Sequence, residues 1–288
     1  MKHDQAESLR RQFEILQNPK QAKTISFVSG KGGVGKSNTA LNFSLELCRN
    51  DKKVLLIDLD IGMGNIEILL GLHSQYTIVD MLQEQLPIYD IIETGPNNLS
   101  YISGGTGLND IFSLDQTELD YFFVQYHKIS KMYDFIVFDM GAGATPTSMA
   151  FVLAADECIV VTTPEPTSIT DAYSMIKHIV KEQPGLSMYV LMNRSQSQKS
   201  GTKALERFQR VVKQFLKKDI QLLGILPDDQ VVSTAVIRQV PYSIFNKKAA
   251  VSKALKLLIK NYISDSATQT ANEPVSFIQK FKRLIRER

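Results

Sequence analysis

Between Thr24 and about Ile263, short apolar runs alternate with longer stretches whose apolar positions recur every three or four residues. That alternation predicts βαβ units on a mostly parallel sheet. The runs that read as strands are Thr24 to Ser29, Lys53 to Asp58, Leu99 to Ser103, Asp134 to Asp139, Cys158 to Thr163, Ser187 to Met192 and Gln221 to Leu226. Several are apolar throughout rather than at every second position, so they belong in a sheet covered on both faces. The expected fold class is therefore α/β, a doubly wound, mostly parallel sheet. No repeat of 20 to 50 residues is visible, which excludes a solenoid or propeller.

Both ends depart from this rhythm. Residues 2–17 read as a helix with Ala6, Leu9, Phe13 and Leu16 on one stripe, stopped by Asn18-Pro19. Residues 266–274 contain no aliphatic side chain larger than alanine and read as a flexible tether. Beyond it, residues 275–288 form an amphipathic pattern, with Phe277, Ile278, Phe281, Leu284 and Ile285 within about 120° on a helical wheel. Lys280, Lys282, Arg283 and Arg286 fall outside that arc. The expected organisation is an N-terminal helix in 1–20, a globular domain in 21–264, a linker in 265–274 and a terminal helix in 275–288.

Composition narrows the class. With 43% hydrophobic and 22% charged residues, the chain can bury one large core. No run approaches 18 consecutive apolar residues and the first eleven are rich in charge where an export signal needs an apolar run, so neither export nor a membrane span is expected, and the compartment expected is the cytoplasm. Cys48 and Cys158 lie far apart in apolar stretches and read as buried thiols. His3, His73, His127 and His178 share no metal-ligand spacing. A net charge of +3 demands no nucleic-acid partner, so the placement of the basic residues matters more than their number.

The strongest chemical signal directly follows the first strand and opens the first long helix. Gly30-Lys31-Gly32-Gly33-Val34-Gly35-Lys36-Ser37 fits G-x-x-x-x-G-K-[ST]. Its glycines let backbone N–H groups close around phosphate oxygens, Lys36 reaches the β and γ phosphates, and Ser37 ligates Mg²⁺. The alternative is a dinucleotide site, because Gly30, Gly32 and Gly35 also fit G-x-G-x-x-G and the second strand ends in an acid. Lys36-Ser37 after the last glycine, the acid pair Asp58 and Asp60, and a further acid, Asp139, ending another apolar strand decide for Mg²⁺-dependent phosphoryl transfer.

With its extra lysine, Lys31, this loop resembles the deviant P-loop of the MinD/ParA family of ATPases, over about residues 24–263. The resemblance implies ATP or ADP with Mg²⁺ as ligands, and an ATP-dependent homodimer in which Lys31 reaches the partner's γ phosphate. Residues 58–65, DLDIGMGN, are similar to the family's D-x-D-x-x-x-x-N segment, which implies that Asp60 positions the attacking water and that Asp58 acts near the metal. Read without the family, Asp60 is a helix N-cap. Residues 139–143, DMGAG, are similar to the family's D-x-x-A-G, with Asp139 at the metal. By the same resemblance Asn38, Asn193, Arg194, Pro227 and Asp229 belong to the nucleotide site, the last four at the base; an asparagine after a strand is otherwise a turn former.

The ends select the branch. Asp4-Gln5-Ala6, with Leu9, looks like the activator helix of the family's flagellar branch, the FlhG (FleN/YlxH) ATPases. That implies stimulation of the FlhF GTPase through Gln5, with flagellar switch-complex (C-ring) proteins as further partners. From periodicity alone, this helix would pack on its own domain. The terminal helix resembles the membrane-targeting helix of MinD-like proteins, implying reversible attachment to the anionic inner face of the cell membrane; from the residues alone, docking on the sheet domain is the other reading. The function implied is control of flagellum number and placement, against a MinD-like division-site or ParA-like DNA-partition ATPase, or an adaptor in which ATP controls only the oligomeric state. Nucleic acid is not expected as a partner, because the basic residues concentrate in an apolar-faced tail.

Overall fold

The computed structural model describes residues 21–60, 64–105, 116–141, 146–268 and 276–286. The expected DQA helix, the centre of the D-x-D-x-x-x-x-N segment and the end of DMGAG lie outside them. In chain order the elements are β1 (Lys23–Val28), α1 (Lys36–Arg49), β2 (Val54–Leu59), α2 (Ile66–Leu70), α3 (Ile78–Gln83), β3 (Glu93–Thr94), β4 (Ser100–Ile102), α4 (Gln116–Ile129), β5 (Phe135–Met140) and α5 (Pro146–Ala154). They continue with β6 (Glu157–Thr162), α6 (Pro166–Glu182), β7 (Ser187–Ser195), α7 (Gln198–Leu216), β8 (Gln221–Pro227), α8 (Gln230–Ile237), α9 (Tyr242–Phe245), α10 (Ala250–Thr268) and α11 (Phe277–Arg286).

Eight strands form one sheet in the order β3-β4-β2-β5-β1-β6-β7-β8, parallel except for the β3–β4 pair. All seven expected strands are present. The additional one, β3, is a two-residue edge strand too short to carry a hydrophobic pattern. The four central strands β2, β5, β1 and β6 are buried at every position but Lys23, the first residue of β1, as their unbroken apolar character required.

Two hydrophobic layers clothe the sheet. One face packs against α3, α4, α5, α6, α7 and α11, the other against α1, α2, α8, α9 and α10. Because β1 lies between β5 and β6, the chain winds away from it in both directions. The loops after β1, β2, β5 and β6 therefore converge at the carboxyl end of the sheet, where such folds bind ligands.

The C-terminus adds detail to the sequence reading at two points. Helix α10 runs on to Thr268, inside the stretch read as a linker from 265, because Ser, Ala and Thr are tolerated in a helix and no Gly or Pro precedes Pro274. The terminal helix does not hold its apolar face open: Phe277 and Phe281 are buried, and Ile278, Leu284 and Ile285 are half-buried against the same core. The Phe281 ring meets Phe151 at 4.7 Å and Phe123 at 5.4 Å, and Phe277 meets Tyr126 at 4.8 Å and Phe138 at 5.2 Å. Lys280 Nζ lies 2.7 Å from Asp156 Oδ1, and Lys282 sits over the Phe123 ring. An aromatic groove between α4 and α5 thus takes the face that the family resemblance offered to lipid.

Candidate active site

The loop between β1 and α1 carries the phosphate-binding motif. Gly33 and Gly35 have φ of 78° and 87°, the left-handed region that excludes most side chains, and Gly35 ends the loop as the N-cap of α1. Gly30 is needed for close approach: a Cβ there would stand 2.2 Å from the backbone carbonyl of Asp171 in α6. The N–H groups of the loop and the first turn of α1 are thereby gathered at one point, the arrangement that receives phosphate oxygens.

Lys36 is 6% exposed, and its Nζ lies 2.5 Å from Asp139 Oδ1, 3.2 Å from Ser37 Oγ and 3.8 Å from Asp60 Oδ2. Strand pairing brings the carboxylates together, since Asp58 stands opposite Asp139 in the β2–β5 register. Asp139 is fully buried, and its Oδ2 has no hydrogen-bond partner among the described residues. A buried carboxylate oxygen without a donor, beside the Ser37 hydroxyl, fits a magnesium ion or its bound water. Among the described residues no group of three or more His, Cys, Asp or Glu is placed to hold a metal ion.

Asp58 takes the capping part that Asp60 was offered when read without the family. Asp58 does the capping: its Oδ1 accepts from the Asp60 amide at 2.9 Å, and its Oδ2 accepts from the Asn65 and Ile66 amides at 2.9 and 3.2 Å. It anchors the loop from within. Burial first, and then the charge of Asp139, push its carboxyl up to about 7. Asp60 caps nothing. It is half-buried, facing Lys36, with Asn65 Nδ2 at 3.5 Å from its Oδ2. Burial raises its pKa against the opposing pull of Lys36. A carboxylate held beside the phosphate lysine is suited to orienting a water.

Lys31 points along its own chain, its Nζ 3.3 Å from Thr167 Oγ1 and 3.5 Å from Glu165 Oε2. Next to the P-loop opens a cleft of about 930 Å³, lined by Gly35, Asn38, Asn193, Arg194, Pro227 and Asp229 among others. The base-site residues expected after two separate strands therefore line one cleft together with the start of α1. Asn193 donates from Nδ2 to Val34 O at 2.8 Å, tying β7 to the P-loop. Arg194 is exposed at φ 54°, in a bulge of β7 that turns it outward. Asp229 caps α8 through the Val231 amide and also accepts from the Val251 amide, so its carboxylate shapes the cleft. Thr163, Pro164 and Glu165, together with Val232, Val236 and Tyr242, also line it and had no signal of their own. Only the strand order, which places β6 beside β1, brings the first three there.

A family model described as an AAA domain matches residues 22–188. The antiactivator FleN of Pseudomonas aeruginosa is 32% identical over 75% of this chain and 78% of its own length. The flagellum site-determining protein YlxH of Helicobacter pylori is 30% identical over 81% of this chain and 79% of its own. Among solved structures, the septum site-determining protein MinD of Pyrococcus horikoshii, complexed with Mg-ADP, superposes with a TM-score of 0.71 at 25% identity, covering 87% of this chain and all of that one. With its P-loop, its extra lysine and its paired strand-end acids in place, this chain is a member of the MinD/ParA family of P-loop ATPases, on the branch that includes FleN and YlxH.

Proposed function

We propose that this ATPase is a nucleotide-controlled dimer that sets flagellum number and placement. The observation that carries the enzymatic part is the convergence of Lys36, Ser37, Asp60 and Asp139 at the mouth of the P-loop. Lys36 neutralises charge on the β and γ phosphates once they displace it from Asp139. Asp60 orients the attacking water in line with the γ phosphate. Mg²⁺, held by Ser37 and, through water, by Asp139, supplies further charge neutralisation when bound. Lys31 leaves Glu165 and Thr167 to act on the phosphates of a second copy, as an arginine finger does. The flagellar part is supported by the likeness to FleN and YlxH.

Among the described residues no helix is long and apolar enough to cross a membrane, so attachment would be peripheral. We assign it to α11, through Phe277, Ile278, Phe281, Leu284 and Ile285, which must first leave the groove they fill. One basic amphipathic helix binds an anionic surface weakly and two on a dimer bind by avidity, so ATP favours attachment and hydrolysis favours release. The N-terminal segment, with Asp4, Gln5, Ala6 and Leu9, is the proposed stimulator of FlhF, and C-ring proteins are the further partners proposed. The test is FlhF GTP turnover with the full chain, with Gln5→Ala and with residues 1–20 removed. Stimulation lost in both variants while their ATP hydrolysis persists is the expected result; undiminished stimulation by Gln5→Ala overturns that residue's role.

A further inference from the structure

We propose that the exposed lysine ridge of α10 is a second contact with anionic lipid, acting beside the terminal helix. The proposal rests on the membrane reading above. Residues 230–264 contain Arg238, Lys247, Lys248, Lys253, Lys256 and Lys260 and no acidic residue. Within α10, Val251, Leu255, Leu258, Ile259 and Tyr262 face the core, which leaves Lys253, Lys256 and Lys260 on the outward stripe at i, i+3 and i+7. Leu257, 61% exposed, stands among them, and Phe245, 42% exposed, lies just ahead of Lys247 and Lys248. None of these five lysines takes part in a salt bridge among the described residues. The other basic helix, α7, differs: it carries Glu206, and its Lys213 is paired with Asp219 at 2.8 Å.

The path of the chain says what faces the ridge. Tyr262 of α10 donates to Glu157 Oε2 at 2.5 Å, and Lys280 of α11 pairs with the adjacent Asp156. Both helices are thus fastened to the start of β6, at the end of the sheet away from the P-loop. Residues 269–276 join them and can span at most about 28 Å. When α11 lies in a bilayer, the end of α10 is therefore held within about 28 Å of the headgroups, and Lys260, about 12 Å back along the helix, within about 40 Å, which presents the ridge at a high effective concentration. Lysines that come within a Debye length, about 8 Å, of an anionic surface are attracted to it, and exposed Leu257 and Phe245 can enter the interface. Lysines spaced on a convex helix, without arginine or a groove, suit a plane of phosphate headgroups better than a duplex.

The experiment sediments the full-length protein, with ATP, on vesicles of phosphatidylcholine alone and of phosphatidylcholine mixed with phosphatidylglycerol, and measures duplex DNA binding in parallel. The wild type is compared with a Lys253→Gln, Lys256→Gln, Lys260→Gln triple variant and with a Leu284→Asp, Ile285→Asp variant of α11. The triple variant is expected to bind the mixed vesicles roughly 10- to 100-fold more weakly than the wild type, with a shallower salt dependence and unchanged ATP hydrolysis. Undiminished binding by the triple variant, with binding lost in the α11 variant, overturns the ridge and leaves the membrane reading standing. A wild type that ignores both vesicles overturns the two together. If the triple variant keeps vesicle binding but loses a duplex that the wild type holds, the ridge serves nucleic acid instead.

Discussion

Gly30 and Gly32 look interchangeable in the motif, yet their surroundings separate them. A Cβ on Gly30 collides with the Asp171 backbone, whereas one on Gly32 meets nothing within 4 Å, and its φ is not in the left-handed region. Gly30→Ala is expected to lose about 1–3 kcal/mol of stability and to weaken ATP binding, and Gly32→Ala to leave the melting temperature unchanged. Thermal unfolding with and without ATP checks both. The thiols behave as their burial dictates: desolvation lifts Cys48 to about 11 and Cys158 to about 12. A raised pKa means less thiolate, so alkylation of Cys48 at pH 8 should run roughly a hundredfold slower than for an unperturbed thiol and recover in denaturant. Labelling of Cys48 at the ordinary thiol rate would contradict that environment. Much at this scale was legible: the lysine, serine and glycine positions of the P-loop follow from the chemistry of holding phosphate. The cap made by Asp58 rather than Asp60 was not, because it depends on how residues 65 and 66 fold back onto the end of β2, which leaves no pattern in the sequence.

At the scale of elements, α11 decides how the switch is built. Its aromatic face is part of the core, and Lys280 closes the contact from the rim. Lys280→Ala removes a partly buried pair worth about 1 kcal/mol and should make the amides of residues 277–286 exchange about fivefold faster, with the rest of the sheet domain unaffected. Hydrogen exchange read by mass spectrometry checks this; unchanged protection would mean that the aromatic contacts alone set docking. The buried strands were legible because an element covered on both faces must be apolar throughout. The docking of α11 was not. An apolar stripe beside basic residues satisfies a bilayer and an aromatic groove equally well, and that groove is assembled from α4 and α5, more than a hundred residues away.

At the scale of the whole molecule, strand order brings four loops to one edge of the sheet and fastens two helices to the opposite edge. The first end binds nucleotide and, in the reading proposed here, a second copy; the other holds the parts that meet the membrane. Pairing of Lys36 with Asp139, and of Lys31 with Glu165 and Thr167, shows both lysines engaged within their own chain in this state. ATP must draw one to its own phosphates and the other across to the partner's. Size-exclusion chromatography with light scattering, in the absence of nucleotide and with ADP or ATP, tests this most directly when the wild type is compared with Lys36→Gln and Asp60→Ala. The expected result is a dimer with ATP alone, absent in Lys36→Gln and prolonged in Asp60→Ala, whose ATP persists. A wild type that stays monomeric under all three conditions would contradict the account and remove the avidity on which the membrane switch depends.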